Sequence, residues 1–321
     1  MRARMIFGCL MAMAVGCNNA PTTTPGNDAG GGNDAGTTPD GGGGNDAGAP
    51  PRPALTVASP NTLDMSCAGT ATRPAGGADV SAQIVVTEFI SPNPATASTD
   101  IEIYTDDVVT GTCTGSCVAA TTDASGHATV MAPAGGWVGL HIPAGQTASA
   151  EVLAYNQVWP ATAGADFPTY SFSMQTVNLV ATLLGRTLQS DTAGAISGQV
   201  SDCMGHNIQN AHPRVFHGTE EIVTGTGNTS PRITGLEGTS PTRAPYYLTG
   251  MGGTFVGANV PAGDDYHVEI WGTTTAGGDE ELIGCEEGRV VAGAITVLVI
   301  GPLRSDYEAG SACAMAAAAN P

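Results

Sequence analysis

Val260-Pro261-Ala262-Gly263-Asp264-Asp265-Tyr266-His267-Val268-Glu269-Ile270 is the stretch on which the reading of this chain turns. Proline, glycine and two aspartates make a turn. Tyr266, Val268 and Ile270 then alternate with His267 and Glu269, the period of two expected of a strand with one buried face. Upstream, Ile142-Pro-Ala-Gly145 is followed by Glu151-Val152 at the offset that separates Gly263 from Glu269-Ile270. Repetition at this distance means two copies of one domain. Each copy closes on an apolar strand ending in glycine and arginine: Val177 to Gly185-Arg186 in the first, Ile295 to Gly301 with Arg304 in the second. A competing register, with Pro133-Ala134-Gly135 set against the second copy, stays open.

The same period marks Ile84-Val85-Val86 and the pair Ile101/Ile103. Val138, Leu140 and Ile142 alternate with Trp137, Gly139 and His141, and the run Ile295–Ile300 follows later. Clusters of Gly, Pro, Asp and Asn separate these runs, so the fold is all-β. No amphipathic helix stands out, and the Ala-rich tail lacks a polar face or a cap. The expected organisation is a first β-sandwich over 54–192, a second over 193–313, and a disordered tail over 314–321.

The N-terminus carries export chemistry. Arg2 and Arg4 precede the apolar run Met5–Gly16, which is a secretory signal pattern and too short to span a bilayer, for which about 20 apolar residues are needed. Ala14-Val15-Gly16-Cys17 resembles the lipobox of bacterial lipoproteins, in which the cysteine receives a diacylglyceryl group. Ala14 stands where that family prefers Leu. The resemblance implies a signal peptide over 1–16, lipid on Cys17 and a membrane partner through that lipid. Asn18 after the cysteine resembles the pattern sorted to the outer membrane. Residues 17–53 hold almost no large apolar side chain, and Gly-Asn-Asp-Ala-Gly recurs at 26–30, 32–36 and 44–48. Such a segment cannot offset its ordering entropy and reads as a disordered linker. About 35 residues of this kind have an r.m.s. span near 30 Å. The aspartates lack the apolar residue per turn that calcium-binding glycine-rich repeats need.

Charge limits the partners. All ten basic residues are arginine, against 29 acids. Loss of Arg2 and Arg4 with the leader leaves a net charge of −21. Such a chain is repelled by phosphate backbones, which excludes nucleic acid as a partner.

The second half also resembles the carboxypeptidase regulatory-like domain, a transthyretin-like β-sandwich. The resemblance rests on Gly198-Gln-Val-Ser-Asp-Cys-Met-Gly205, the run Ile208–Phe216, Gly253-Thr-Phe-Val256 and Val260-Pro-Ala-Gly263 before Tyr266. It implies a strand entering a turn, then a hairpin followed by a core strand. Thr122-Asp-Ala-Ser-Gly126-His-Ala-Thr-Val130 resembles that hairpin in the first half. The fold class is therefore two tandem transthyretin-like or Ig-like sandwiches. The connection from Phe216 to Tyr246, some 30 residues, is longer than the family's. Pro213 removes a ladder donor, which sends its strand to an edge.

Six cysteines follow Cys17: Cys67, Cys113, Cys117, Cys203, Cys285 and Cys313. An even number in an exported chain reads as a disulfide set. Cys113 and Cys117 can close locally through Gly115. Cys203 and Cys285 lie in one sandwich and form the second expected pair, which leaves Cys67 with Cys313 by elimination. His206, His212 and His217 read as scattered surface residues rather than metal ligands. The doublets Asp106-Asp107, Asp264-Asp265, Glu280-Glu281 and Glu286-Glu287 read as solvated turns, since Ca²⁺ needs six to eight oxygens. No nucleophile elbow, zinc-protease motif or phosphate loop occurs. The fold family includes a purine-pathway hydrolase, but its C-terminal Tyr-Arg-Gly-Ser signature is absent. No catalytic residue, metal or cofactor is implied. Two function classes remain open: a displayed binding or structural module for an envelope protein or glycan, and an accessory subunit of an envelope enzyme or secretion complex.

Overall fold

The computed structural model describes residues 51–89, 98–106, 109–145, 149–238, 240–242 and 246–320. The expected signal peptide, Cys17, the linker as far as residue 50, and Asp107 lie outside the described residues. A short strand β1 (Thr56–Val57) comes first. The first half then runs β2 (Asp79–Glu88), β3 (Asp100–Tyr104), β4 (Cys117–Thr121), β5 (His127–Pro133), β6 (Trp137–Ile142), β7 (Ser149–Ala150), β8 (Val152–Val158), β9 (Ala165–Ser173) and helix α1 (Met174–Leu183). The second runs β10 (Ala193–Val200), β11 (Ile208–Gln209), β12 (His212–His217), β13 (Glu220–Glu221), β14 (Arg232–Glu237), β15 (Ser240–Pro241), β16 (Thr254–Pro261), β17 (Gly263–Gly272), β18 (Glu281–Val290), β19 (Ile295–Ile300) and helix α2 (Ala312–Ala319).

The strand order repeats. In the first half β2 is antiparallel to β5 and parallel to β9. In the second, β10 is antiparallel to β16 and parallel to β19. Facing these, β3-β6-β8 and β12-β17-β18 are each antiparallel triples. One strand differs: β4 bonds to β3, whereas β14 joins β16 in the opposite layer. In this order Pro133-Ala134-Gly135, between β5 and β6, matches Pro261-Ala262-Gly263, between β16 and β17. The competing register is thus the structural one, and Ile142-Pro-Ala-Gly145 follows β6 instead.

Neither of these connections is a hairpin. β16 belongs to one sheet and β17 to the other, so Pro261-Ala262-Gly263 turns the chain between layers. Tyr266 pins that corner, its hydroxyl donating to the Pro261 carbonyl at 2.6 Å. The Gly198 motif does open on a strand entering a turn: Asp202 Oδ1 accepts from the Met204 and His206 amides, and Gly205 has φ of +76°. Gly198 itself is needed for contact, because a Cβ there would meet the Phe255 ring at 2.4 Å.

The halves join edge to edge. β8 and β19 pair in parallel, Val152 with Ile295 through Tyr155 with Leu298. This makes one nine-stranded sheet, β15-β14-β16-β10-β19-β8-β6-β3-β4. Both faces of its middle strands are covered. Val152 and Ala154 enter one core while Leu153 and Tyr155 enter the other. The first core takes Ala195, Ile295 and Val297 from the second half, and the second takes Tyr104 and Leu153 from the first. Each fully buried Leu, Ile or Val contributes roughly 1.5–3 kcal/mol, so neither core is complete without the other half. Because both faces are covered, Val138 to Ile142 are all buried, the glycine and histidine included.

Both helices correct expectations. The segment from Val177 to Gly185, expected as a strand, is mostly α1. Ser173 caps it, accepting from the Thr176 amide at 3.2 Å, and Val177 and Ala181 are buried one turn apart. Gly185, at φ +67°, ends it, and the Arg186 amide reaches back to the Ala181 carbonyl at 2.8 Å. The tail expected to fray forms α2, capped by Ser311 through the Ala314 amide at 3.3 Å and held down by the fully buried Cys313. Pro213 does lie on an outer edge, since β13 covers β12 only at Phe216 and His217. The long connection after Phe216 is partly built into the sheets, as β13, β14 and β15.

Candidate functional site

The best-defined polar cluster lies on the first-half end of the nine-stranded sheet. Ile101 and Ile103 of β3, with Leu140 and Ile142 of β6, face the first core. Alternation turns Glu102, Tyr104 and His141 to the opposite face, and the register sets Glu102 beside His141. His141 is 3% exposed. Its Nδ1 donates to Glu102 at 2.7 Å and its Nε2 to Glu151 at 2.8 Å. The Tyr104 hydroxyl donates to the same Glu102 oxygen at 2.7 Å, and the Cys113 amide adds a further bond.

These contacts set the charges. Burial opposes ionisation of His141, yet the bonds to Glu151 and Glu102 outweigh it and raise its pKa. Burial likewise opposes the Glu102 carboxylate, and the His141 and Tyr104 bonds overcome it to hold the pKa below the usual 4.5. Tyr104 is pushed up to about 12 by burial and by the Glu102 carboxylate. His141 thus sits between two carboxyl groups with both ring nitrogens engaged by hydrogen bonds, an arrangement that favours its protonated form. It ties β3, β6 and the start of β8 together at the junction.

A second polar cluster covers the outer face of β12 and β17. The Arg214 guanidinium pairs with Glu221 and stacks over Phe216 and Trp271 at 5.2 and 5.3 Å. Trp271 Nε1 donates to Glu269 at 2.7 Å. Burial would raise the Glu269 pKa, but His267 and Trp271 bonds lower it. Arg52 pairs with Glu280 and stacks on Tyr246 at 4.6 Å, anchoring the chain at the end of the expected linker. Among the described residues no group of three or more His, Cys, Asp or Glu is arranged to hold a metal ion.

The six cysteines among the described residues form disulfides: Cys67–Cys203, Cys113–Cys117 and Cys285–Cys313, with Cα atoms 5.8, 5.2 and 5.5 Å apart. The local bridge is the expected one. The other two pairings correct the expectation of Cys203–Cys285 and Cys67–Cys313. Cys203 sits in the turn after β10, where the 64–67 segment docks: the Cys203 amide donates to the Asp64 carbonyl at 2.9 Å. Cys285 lies on β18 beneath α2, packed with Leu282, Leu303 and Cys313.

His206 hydrogen-bonds to Asp202 at 3.1 Å and His212 to Glu280 at 3.2 Å, while the His217 ring stacks on Tyr266 at 4.7 Å. They stay apart, though His212 is hydrogen-bonded to Glu280 and half-buried. Two acidic doublets are not solvated turns. Glu286 is 5% exposed on β18, 3.6 Å from Arg304, and Glu287 accepts from the Cys313 amide at 2.9 Å. Glu280, too, is engaged by Arg52 and His212. Sequence reasoning missed the Glu102–His141–Glu151 cluster. Its signal was present as Ile101-Glu-Ile103 and Leu140-His-Ile142, ionisable residues set between apolar neighbours.

No protein-family model matches the sequence, and no curated protein matches it. Among solved structures, the Bacillus anthracis TIE protein aligns over 70% of this chain and 34% of its own, at 12% identity and a TM-score of 0.23. The Streptococcal ancillary pilin aligns over 70% of this chain and 62% of its own, at 10% identity and a TM-score of 0.22. Shaft pilin SpaA from Lactobacillus rhamnosus GG aligns over 70% of this chain and 97% of its own, at 12% identity and a TM-score of 0.20. This chain spans about a third of the first of these proteins and under two-thirds of the second. At these scores the likeness adds nothing to what the strand order already establishes.

Proposed function

We propose that this chain is a non-catalytic module of a bacterial envelope, held to the outer membrane by lipid on Cys17 and presenting a double sandwich to a protein or glycan. The observation that carries the reading is the parallel β8–β19 junction. Two sandwiches that share a sheet and exchange core residues move as one body, which suits display or load-bearing better than a hinged catalytic cleft. The internal commitment of His141, Glu102 and Glu151 supports the same reading, because the cluster is spent on holding strands together. The anchor rests on Ala14-Val15-Gly16-Cys17 and the polar segment behind it. The carboxypeptidase regulatory-like resemblance fits a domain that positions or binds rather than reacts.

Membrane fractionation of the full chain and of Cys17→Ser tests the anchor. The native chain is expected in the outer-membrane fraction and the variant in a soluble or uncleaved form; equal retention of both refutes it. Purified chain is expected to turn over no peptide, ester, glycoside or phosphate substrate. Turnover that survives repurification and disappears on substitution of one His or acidic residue overturns the non-catalytic reading.

A further inference from the structure

Among the described residues, each edge strand other than β4 is two residues long, carries a proline, or is covered by another segment. β7, β13 and β15 are two residues long, and β15 ends in Pro241. The outer edge of β18 is covered by the 303–307 segment: the Leu303 amide donates to the Ile283 carbonyl and the Tyr307 hydroxyl to the Cys285 carbonyl, both at 2.9 Å. β5 closes on Pro133, and the His127 amide and carbonyl are both taken by Asp123. β4 has none of these protections. It ends the nine-stranded sheet with Cys117-Val-Ala-Ala-Thr121, a stretch with no proline, no charge and no residue larger than valine.

Its free groups follow from the ladder. The Thr105 amide bonds to the Ser116 carbonyl and the Thr122 amide to the Thr99 carbonyl. Bonded pairs alternate along an antiparallel ladder, so Val118 and Ala120 bond to Ile103 and Ile101 of β3. The amides and carbonyls of Cys117, Ala119 and Thr121 therefore point outward, and among the described residues none has a backbone partner. Val118 is 39% exposed, and Ala119 and Thr121 are exposed as well.

We propose that β4 is a docking edge that takes an extended basic peptide segment as a tenth strand. Resting on the binding-module reading above, the proposal names the surface and the partner chemistry. Main-chain bonds to Cys117, Ala119 and Thr121 would supply affinity, and charge selects the occupant. Asp100 lies beside Thr121 at this edge, Glu102 being already engaged by His141. β3 and β4 contain no base, and the chain carries 29 acids against 10 bases. A second copy of this chain would bring the same negative field, whereas arginine- or lysine-flanked strands are attracted.

The test uses the full mature chain and a fluorescein-labelled probe, Arg-Thr-Val-Thr-Val-Thr-Arg, with a counterpart in which glutamate replaces both arginines. Anisotropy at low salt is expected to show at least ten-fold tighter binding of the basic probe. Amide exchange at Cys117, Ala119 and Thr121 is expected to slow at least ten-fold when it binds. Ala119→Pro removes an outward amide and leaves the ladder to β3 intact, so it should abolish binding. Thr129→Pro, on β5, should leave binding unchanged. Four results overturn the proposal: unchanged exchange at those amides on the native chain, equal binding of the acidic probe, loss of binding only in Thr129→Pro, or protection of the same amides by self-association without probe. The exchange measurement needs no variant, so it stands if Ala119→Pro fails to fold. Any of these results leaves the Cys17 fractionation untouched, which keeps the two readings separable.

Discussion

Removing the disulfides one pair at a time should rank them by the loop each closes. Cys67–Cys203 links residues 136 apart, Cys285–Cys313 links residues 28 apart, and Cys113–Cys117 links residues 4 apart. The chain-entropy relation then gives about 5.0, 3.6 and 1.9 kcal/mol respectively at 25 °C. For a folded part of about 270 residues, an unfolding entropy of about 2.1 cal/mol/K per residue converts these to melting shifts of roughly 9, 6 and 3 °C. Packing works with the first bridge, since Leu55, Val57, Leu63 and Met65 of the segment leading to Cys67 lie against the second core. The assay is thermal unfolding of three paired Cys→Ala variants without reductant, alongside peptide mapping of the native bridges. A largest shift from the Cys113/Cys117 pair, or equal shifts from all three, would refute the loop-entropy reasoning. A mapped Cys203–Cys285 bridge would refute the topology beneath it.

The His141 cluster should leave a signature in pH. His141 has a raised folded pKa, so its contribution is full below the ordinary 6.5 and fades as pH rises through the folded value. Glu102 has a lowered one, so its contribution is full above 4.5 and fades as pH falls through the folded value. The gap in melting temperature between the native chain and His141→Gln should therefore peak between about pH 4.5 and 6.5, and a gap that grows steadily toward pH 9 would contradict it. Tyr266→Phe, which removes the bond to the Pro261 carbonyl, should cost about 1 kcal/mol in urea unfolding; no change would mean that the corner does not need the bond. Val297→Asp puts a charge into the first core from a second-half strand, and should unfold both halves in one transition by calorimetry. Two separate transitions would show that the shared sheet does not couple them. Limited proteolysis should trim the chain to about residue 50 and stop, because composition gives that segment nothing to bury; an N-terminus that resists cleavage would count against the linker.

Legibility in the sequence followed how local the deciding physics was. Tyr266, Val268 and Ile270 alternate in the sequence and all enter the second core, because a strand's two faces are set residue by residue. Asp202 and Gly205 mark their turn for the same reason. His267 and Glu269, on the other face of β17, are buried too, which the alternation did not foretell. The helices escaped notice because their signals were weak or shared. Val177 and Ala181 lie one turn apart within a run apolar enough to pass as a strand. The tail that forms α2 has no polar face, and tertiary contacts hold it, with Cys313 bonded to Cys285 and Ala316 and Ala317 packed on the same cluster. The disulfide pairing depended on that helix, and so was misread with it.

From the sequence alone come the all-β class, the repeat, the disulfide-bonded state of the six downstream cysteines, and the expectations of export and of no nucleic-acid partner. Each follows from composition, periodicity or spacing along the chain. Tertiary structure decided which proline-glycine turn matches which, since Ile142-Pro-Ala-Gly145 and Pro133-Ala-Gly135 are locally alike and only strand pairing separates them. It also decided that β8 and β19 meet in parallel. That contact joins residues some 140 positions apart, and no local pattern encodes which edge of one sandwich faces which edge of the next. It decided, too, that His141 is buried between carboxyl groups brought to it by β3 and by the start of β8. An alternating strand is expected to show its polar face to water, and here a second core lies over it.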